Sequence, residues 1–600
     1  MITPRALLPG LRRFCLNMPV LQLMTLLITC CASQAMAAES LELVVEGVEG
    51  ELSANVQQAL TLPRDIVREG RVDRLWLERL RRQAEEKARR AIEPFGYYKG
   101  KAKAIVEEPD SGEFVLHVSV EPGPPVRLSR VHMAVQGAGA GEETLKDLVE
   151  EFPLRQGDVL LQQEYERTKA ALQARAQELG YLDADFVQHR IGINRAEEKA
   201  EIDLVMETGP RYYFGSAAIQ GAEQYPGDFL RRYLAFREGE VFSYGKLGET
   251  QVNYTNADRF RQVVVTPERE KASPDHRIPV LVQLEAAPRH TLHPGIGYGT
   301  DTGARFSIRY RDRNLWNMAH EFNSNLFISE RLQGLHSEYV VPSPRDINTS
   351  TSLQLTLQQE DVAAYISRFV AVELGRNHSF GSGRRGTAYV RVQQESFIIG
   401  SERSDSRLVL PGYRFTEDRY DSLLRPRKGY RYGFDLRGTH QYLGSDTGLL
   451  QLVTDASTFL PLPWRFSLFL RGRGAFTAQN DPLAELPASL RFFAGGDTSV
   501  RGYSYRALGP RNAAGEVTGG RHLLTGTAEL FRDLFDNWAV SAFYDAGNAF
   551  NAFANVAVAQ GAGIGIHYYS PIGALNLSLA RQLAEPEPAL RIHFTLGFEL

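Results

Sequence analysis

Six hundred residues exceed what one hydrophobic core organises, so several domains are expected. A hydrophobic share of 43% and a charged share of 23% suit a folded chain. With 68 Lys+Arg against 72 Asp+Glu, a net charge of -4, there is no basic excess for nucleic acid.

The N-terminus reads as a targeting segment. Arg5, Arg12 and Arg13 precede an apolar stretch around Val20 to Ala32, and Ala35-Met36-Ala37 supplies a small-x-small cleavage site. Residues 1–37 are therefore expected to be a signal peptide; Thr29 is too bulky to favour a lipoprotein site at Cys30. All 3 cysteines, Cys15, Cys30 and Cys31, fall before that cut. The exported chain would then have no thiol, which excludes cysteine catalysis and Cys-ligated metals. No later run is long and apolar enough to cross a bilayer as a helix.

Strand-like and helical segments follow in a repeating order. Leu41–Gly47 reads as a strand, and the polar stretch from Gly70 to Ile92 as a helix with a solvated charged face. Phe114, Leu116, Val118 and Val120 alternate with Val115, His117 and Ser119, the two-residue period of a half-buried strand. The next unit reads as strand Val126–Gln136, helices Glu142–Glu151 and Gln162–Leu179, and strands Phe186–Ile193 and Ala200–Glu207. A third reads as strand Tyr213–Gln220, helices Gly227–Ala235 and Tyr244–Ala257, and strands Gln262–Pro267 and Ile278–Glu285. Glu-Pro-Gly-Pro at 121–124, Glu-Thr-Gly-Pro at 207–210 and Glu-Ala-Ala-Pro at 285–288 punctuate the units, and Gly96-Tyr97 recurs as Gly180-Tyr181. Three small α/β domains are expected, at 38–124, 125–210 and 211–288. Their sheet edges either accept a partner's strand or merely space the arm; both readings stand at this point.

From residue 289 helical periodicity stops. Phe306, Ile308 and Tyr310 alternate with arginine and serine; Tyr430, Tyr432, Phe434 and Leu436 alternate with Arg431, Gly433, Asp435 and Arg437. Ile592, Phe594, Leu596, Phe598 and Leu600 alternate with polar residues to the final position. So many two-faced strands without covering helices need a closed sheet with lipid outside and water inside, and 289–600 has room for about sixteen strands of a transmembrane β-barrel. Gly295, Gly297 and Gly299 alternate along the first strand and Gly597 lies in the last, so the closing seam is expected to be loosely packed.

Gly495-Gly496-Asp497-Thr498-Ser499-Val500-Arg501-Gly502-Tyr503 interrupts this pattern as a loop tip carrying one cation. Further on, Phe543-Tyr544-Asp545-Ala546-Gly547 places a carboxylate on a strand period. Folded into a polar lumen, the loop would bring Arg501 to Asp545 and neutralise both. Leu410 to Tyr420 reads as a mixed-charge turn, and Arg425-Pro426-Arg427-Lys428-Gly429 as a tight turn. His290 and His293 have no carboxylate at ligand spacing, so no metal is expected. Ser307, Ser367, Ser499 and Ser541 lie in no nucleophile-elbow context, and no phosphate-cradling or dinucleotide motif occurs. No cofactor and no enzymatic step are expected.

Three tandem α/β units before a barrel resemble the polypeptide-transport-associated (POTRA) arm of the outer-membrane insertase superfamily. Val500-Arg501-Gly502-Tyr503 is similar to that superfamily's inward loop motif, Phe543 to Gly547 to its F-x-D-x-G strand motif, and Arg425 to Gly429 to its P-T-R-G turn, with Lys428 in place of arginine. A three-unit arm and a length near 600 residues resemble the TamA-type branch, whereas BamA-type members usually carry five units. The resemblance implies a sixteen-stranded barrel in a diderm outer membrane, with the units in the periplasm. It implies an inner-membrane-anchored partner of the TamB type, nascent β-barrel or autotransporter clients, and contact with outer-membrane lipids. Apart from the resemblance, the glycine-loosened seam is expected to open and let a client strand pair at its edge. A BamA-like general insertase and a passive channel with docking domains are the alternatives.

Overall fold

The computed structural model describes residues 40–62, 67–68, 71–108, 113–422, 425–571, 573–583 and 585–599. The expectations for residues 1–37, for the three cysteines, for Leu600 and for the Phe598 side chain fall outside the described residues.

The first module runs from β1 (Ser40–Glu46) through helices α1 (Gly50–Ala59) and α2 (Arg74–Ile92), with the short pair β2 (Val67–Arg68) and β3 (Arg71–Val72) between them, to β4 (Lys101–Glu107) and β5 (Glu113–Glu121). Helix α2 forms because Leu77, Leu80, Ala84, Ala88 and Ala91 recur at helical spacing and are buried, while Asp73 caps its start by accepting from the Leu75 and Trp76 N–H groups at 3.0 and 3.1 Å. Strand β5 lies between β1, to which it is parallel, and antiparallel β4. The order is the same in the second module: β6 (Arg127–Gln136), α3 (Glu143–Glu150), α4 (Gln162–Glu178), β7 (Asp185–Asn194) and β8 (Lys199–Glu207), with β8 central. The third has β9 (Tyr213–Gln220), α5 (Gly227–Arg231), α6 (Tyr244–Thr255), β10 (Phe260–Pro267) and β11 (Arg277–Ala286), with β11 central.

The repeated Gly-Tyr pairs have a physical reason. Gly96 (φ 91°) and Gly180 (φ 89°) adopt left-handed backbone, and their carbonyls accept the Val126 and Tyr212 N–H groups at 2.8 Å where the next module begins. A Cβ at either position would stand 2.8 Å from a valine methyl of that next segment, Val159 or Val241. Only glycine allows both the turn and the approach.

Sixteen antiparallel strands, β12 (His290–Gly299) to β27 (Leu590–Glu599), form the closed barrel, each paired with the next in sequence and β27 returning to β12. Outward positions such as Leu353, Leu355, Leu357, Val390 and Val392 are exposed and apolar, while inward Gln393, Glu395 and Gln451 are buried. That is the pattern of a sheet that faces hydrocarbon. No helix among the described residues is long and apolar enough to cross a membrane.

The structure departs from expectation in several places. Helix α1 and strand β4 were not anticipated, and α5 ends at Arg231 rather than reaching Ala235. Most of the segment read as a turn at Leu410 to Tyr420 belongs to β19 (Glu402–Asp418), which ends two residues before Tyr420. Pro411 and Gly412 look like a break in sequence, but both hold register with Val390 and Tyr389, and Arg414 finds Asp435 at 3.4 Å across the neighbouring strand β20 (Gly429–Thr439). The lumen is not simply wet. Parts of the 480–521 segment, between β22 (Phe466–Gln479) and β23 (His522–Phe535), pack against its inner wall. Leu486 and Leu490 pack on Leu408, Leu410 and Leu449, and Phe492 and Ala494 on Ala475, Leu523 and Ala549. A polar cavity of about 560 Å³ remains, lined among others by Arg391, Arg414, Arg437, Arg473, Glu360 and Asp435.

Two compact units organise the chain. One extends to Tyr213 and includes Gly239–Tyr244 and Ser273–Arg277; the other holds Phe214–Glu238, Gly245–Ala272 and the chain from Ile278. Within the second unit most of the third module joins the barrel through polar bonds: Arg311 Nη1 to Asp258 Oδ2 at 2.6 Å, Asn314 Nδ2 to the Gln224 carbonyl at 2.8 Å, and Arg232 Nη1 to the Ser343 carbonyl at 2.6 Å.

Candidate functional site: the inward loop and the seam

The loop motif is built around one buried guanidinium. Arg501 Nε donates to Asp545 Oδ2 at 2.7 Å and Nη2 to Asp545 Oδ1 at 3.0 Å, a forked pair, while the Arg501 backbone N–H reaches the same Oδ2 at 3.1 Å. Its third nitrogen, Nη1, meets Glu529 Oε2 at 2.9 Å. The guanidinium carbon lies 3.3 Å from the centroid of the Phe543 ring. Relative exposures of 6% for Arg501, 5% for Glu529 and 0% for Asp545 show how little water screens the cluster.

The local backbone makes this seating possible. Asp545 lies on β24 (Trp538–Phe550), directly opposite Thr527 of β23, which in turn faces Arg471 of β22. Gly502 adopts φ 97°, which turns the chain after Arg501. Gly561, on β25 (Ala559–Ser570), faces the loop so closely that a Cβ there would stand 2.0 Å from the Arg501 carbonyl oxygen. Gly561→Ala is therefore expected to expel the loop tip; loss of Arg501 protection in limited proteolysis or labelling of a cysteine placed at Val500 measures it, and an unchanged loop would refute the close approach. Val500 and Tyr503 anchor the tip on Ala559. At Gly547 a Cβ would stand 2.2 Å from the Leu524 carbonyl oxygen, so its role is contact between β24 and β23 rather than with the loop.

Glu529 continues the network. It accepts from Ser541 Oγ at 2.6 Å, and Ser541 also lies 2.8 Å from His567 Nε2, whose Nδ1 faces Asn576 at 2.8 Å. A hydroxyl has one proton, and the carboxylate is the nearer acceptor, so the serine buttresses Glu529. Asn576 Nδ2 then reaches Thr595 Oγ1 on β27 at 3.2 Å.

The seam itself is short. Among the described residues β12 and β27 pair over Gly295–Gly299 and Thr595–Glu599, five register pairs, whereas β12 holds ten with β13 (Gly303–Leu315) and β27 nine with β26 (Gly573–Gln582). Among the described residues the pairing recorded between the two strands ends at Gly295 and Glu599, and Pro294, the next residue of β12, lacks an N–H to donate. The seam glycines act differently from the looseness expected of them. At Gly297 a Cβ would stand 2.5 Å from both Arg305 Nε and the Leu596 carbonyl oxygen, and at Gly597 2.5 Å from Arg305 Nη2. They clear a path for Arg305, which donates to the Leu596 carbonyl at 3.3 Å across the seam. Phe594 rests 6.1 Å, ring to ring, from Tyr298.

The turn motif lies away from the loop. Arg425 Nη2 bonds Asp533 Oδ1 at 2.6 Å with its guanidinium over Tyr569, Arg427 Nη2 reaches Asp533 Oδ2 at 3.3 Å, and Pro426 leads to Gly429 at φ 117°. Glu529 and His593 escaped sequence reading, although an acid inside the alternating run Thr-Ala-Glu-Leu-Phe of a membrane-crossing strand is itself a functional signal.

A closed sixteen-strand wall, three α/β modules ahead of it and an inward loop seated by a buried arginine define an outer-membrane type of barrel with a POTRA arm. Residues 292–600 match the Omp85 superfamily domain, and the chain belongs to the Omp85 superfamily. Residues 42–122 match the POTRA domain TamA domain 1, and 136–207 the POTRA family described as surface antigen variable number repeat. The chain is similar to the outer membrane protein assembly factor BamA of Nitratidesulfovibrio vulgaris, 22% identical over 442 residues that cover 70% of this chain and 55% of that one. It therefore spans about half the length of this relative. Its fold is similar to the crystal structure of BamA from Haemophilus ducreyi lacking POTRA domains 1–3, with TM-score 0.62 and 17% identity over 79% of this chain and 100% of that one. CdiB from Acinetobacter baumannii is more distant, with TM-score 0.48 and 14% identity over 80% and 91%.

Proposed function

We propose that this protein is an outer-membrane assembly factor, with its three modules in the periplasm, that admits nascent β-barrel strands at the β12 edge of its closing seam. The short seam carries this reading: among the described residues β12 and β27 share five register pairs against ten between β12 and β13, so this junction parts with the fewest bonds broken and bares a strand edge. An unpaired edge invites another strand. In this reading the three-module arm, whose first module matches a TamA description, works with a TamB-type inner-membrane-anchored partner on autotransporter and related clients. The likeness to BamA supports the broader alternative of a general insertase. Outer-membrane lipids meet the apolar outer face in either case.

A photoreactive side chain at Leu292, which is 61% exposed on the outer face, tests the proposal. During client assembly in cells it is expected to crosslink to a client's terminal strand, whereas the same probe at Leu355, four strands around the barrel from β12, is expected to give none. Equal yields at both positions, or none at Leu292, would rule the edge out. Recovery of a TamB-type protein with the modules separates the narrower reading from the general one.

A further inference from the structure

We propose that Asp497 is a clasp that holds the seam shut, bonding the first and last strands to the inward loop through a single carboxylate; the inference rests on the assembly reading for its purpose but not for its geometry. The loop lies at the same end of the barrel as the turn joining β12 to β13. There the Thr300 hydroxyl lies 3.0 and 3.2 Å from the two oxygens of Asp497 and donates to that carboxylate, and it accepts from the Phe594 N–H at 3.3 Å. The Thr300 N–H in turn bonds the Phe594 carbonyl at 3.0 Å. The next residue of β27, His593, turns its Nδ1 to Asp497 Oδ1 in a close contact. One carboxylate thus grips adjacent positions on the two strands that must separate.

His593 is committed on both sides. Its Nε2 accepts the Gly502 N–H at 2.8 Å, so the ring proton is on Nδ1 and points at Asp497. With both nitrogens engaged the ring has no lone pair to give a metal, although Asp301, Asp497 and His593 lie close together. The group reads as a hydrogen-bonded latch rather than a cation site. The Asp497 N–H meets Asp301 Oδ2 at 2.7 Å, which fixes the backbone of the clasp to the same turn. Four residues further on, Arg501 is pinned by Asp545 and Glu529 to β24 and β23, three and four strands from β27. The loop is therefore a strap: its Arg501 end is tied to β23 and β24, and its Asp497 end to both sides of the seam. Opening the seam must break the Asp497 bonds, while the Arg501 anchor can stay in place.

Hydrogen exchange on the full-length protein in lipid vesicles, without client, tests this. Asp497→Ala removes charge-assisted bonds to both strands, so peptides covering 290–300 and 590–599 are expected to exchange roughly tenfold faster or more, with the strands between Thr349 and Ile399 unchanged. Thr300→Val keeps shape and deletes only the hydroxyl; it is expected to give a smaller acceleration confined to the same peptides, and it decides the matter if Asp497→Ala does not fold. Seam exchange at the wild-type rate in the folded variants would overturn the clasp, as would acceleration spread evenly over the barrel. Faster seam exchange together with no client crosslinking at Leu292 would leave the clasp standing and sink the assembly reading.

Discussion

Arg501→Ala is expected to destabilise the barrel more than any other single substitution in the lumen. It leaves the Asp545 and Glu529 carboxylates buried against each other without their shared cation and removes the group stacked on Phe543. Breaking a buried ion pair from one side costs about 3–5 kcal/mol, because the remaining charge has neither water nor partner. A folded barrel that resists detergent at room temperature gives the measure: the midpoint of its urea- or heat-induced loss of compact mobility should fall sharply. Arg501→Lys is expected to recover little, since an ammonium cannot fork onto Asp545 and reach Glu529 as well. Exchanging the charges, with Arg501→Asp and Asp545→Arg together, is expected to restore only a fraction. Asp545 also accepts the loop's own backbone N–H, and a guanidinium in its place has no acceptor to offer. An Arg501→Ala barrel as stable as the parent would show that the loop, not the pair, sustains the lumen.

The second large effect concerns the seam. Tyr298 and Leu596 are register partners across it, so Tyr298→Cys with Leu596→Cys brings two thiols to adjacent strand positions. Directly opposed antiparallel residues have Cα separations near 4.5–5.5 Å, within the range a disulfide spans. Oxidised, this variant is expected to lose client insertion to background; reduced, it is expected to regain it. A control disulfide between the register partners Leu355 and Val372, far from the seam, should cost nothing. Full insertion with the seam locked would leave the passive-channel alternative, which requires steady ion conductance and no strand separation.

Much of this molecule is legible before folding is considered. The two-residue alternation of Tyr430 to Leu436 and of Ile592 to Phe598 announces strands with one apolar face, and so many of them admit no solution but closure. The module repeat is equally plain, because Gly96-Tyr97 and Gly180-Tyr181 mark equivalent joints. Arg501 and Asp545 could be matched because a cation in a loop and an acid on a lipid-crossing strand each need a partner. Less legible were positions whose role depends on several strands at once. Glu529, His593 and Thr300 sit on separate elements far apart in the chain, and nothing local distinguishes them from other inward polar residues. Charge in Leu410 to Tyr420 suggested solvent and a turn, yet a lumen with its own counter-charges accepts Arg414 inside a strand.

What the amino-acid order determined by itself is therefore the kind of object: a three-module arm and a closed, lipid-facing sheet, since periodicity and burial are local consequences of residue type. Tertiary structure alone decided which polar groups meet. Register sets which residues of β27 meet β12, and the inward course of one loop brings Asp497 to Thr300 and His593, residues about 200 and 100 positions away. Those meetings follow from closing the cylinder, a condition that acts on all sixteen strands together and is written in no single stretch of chain.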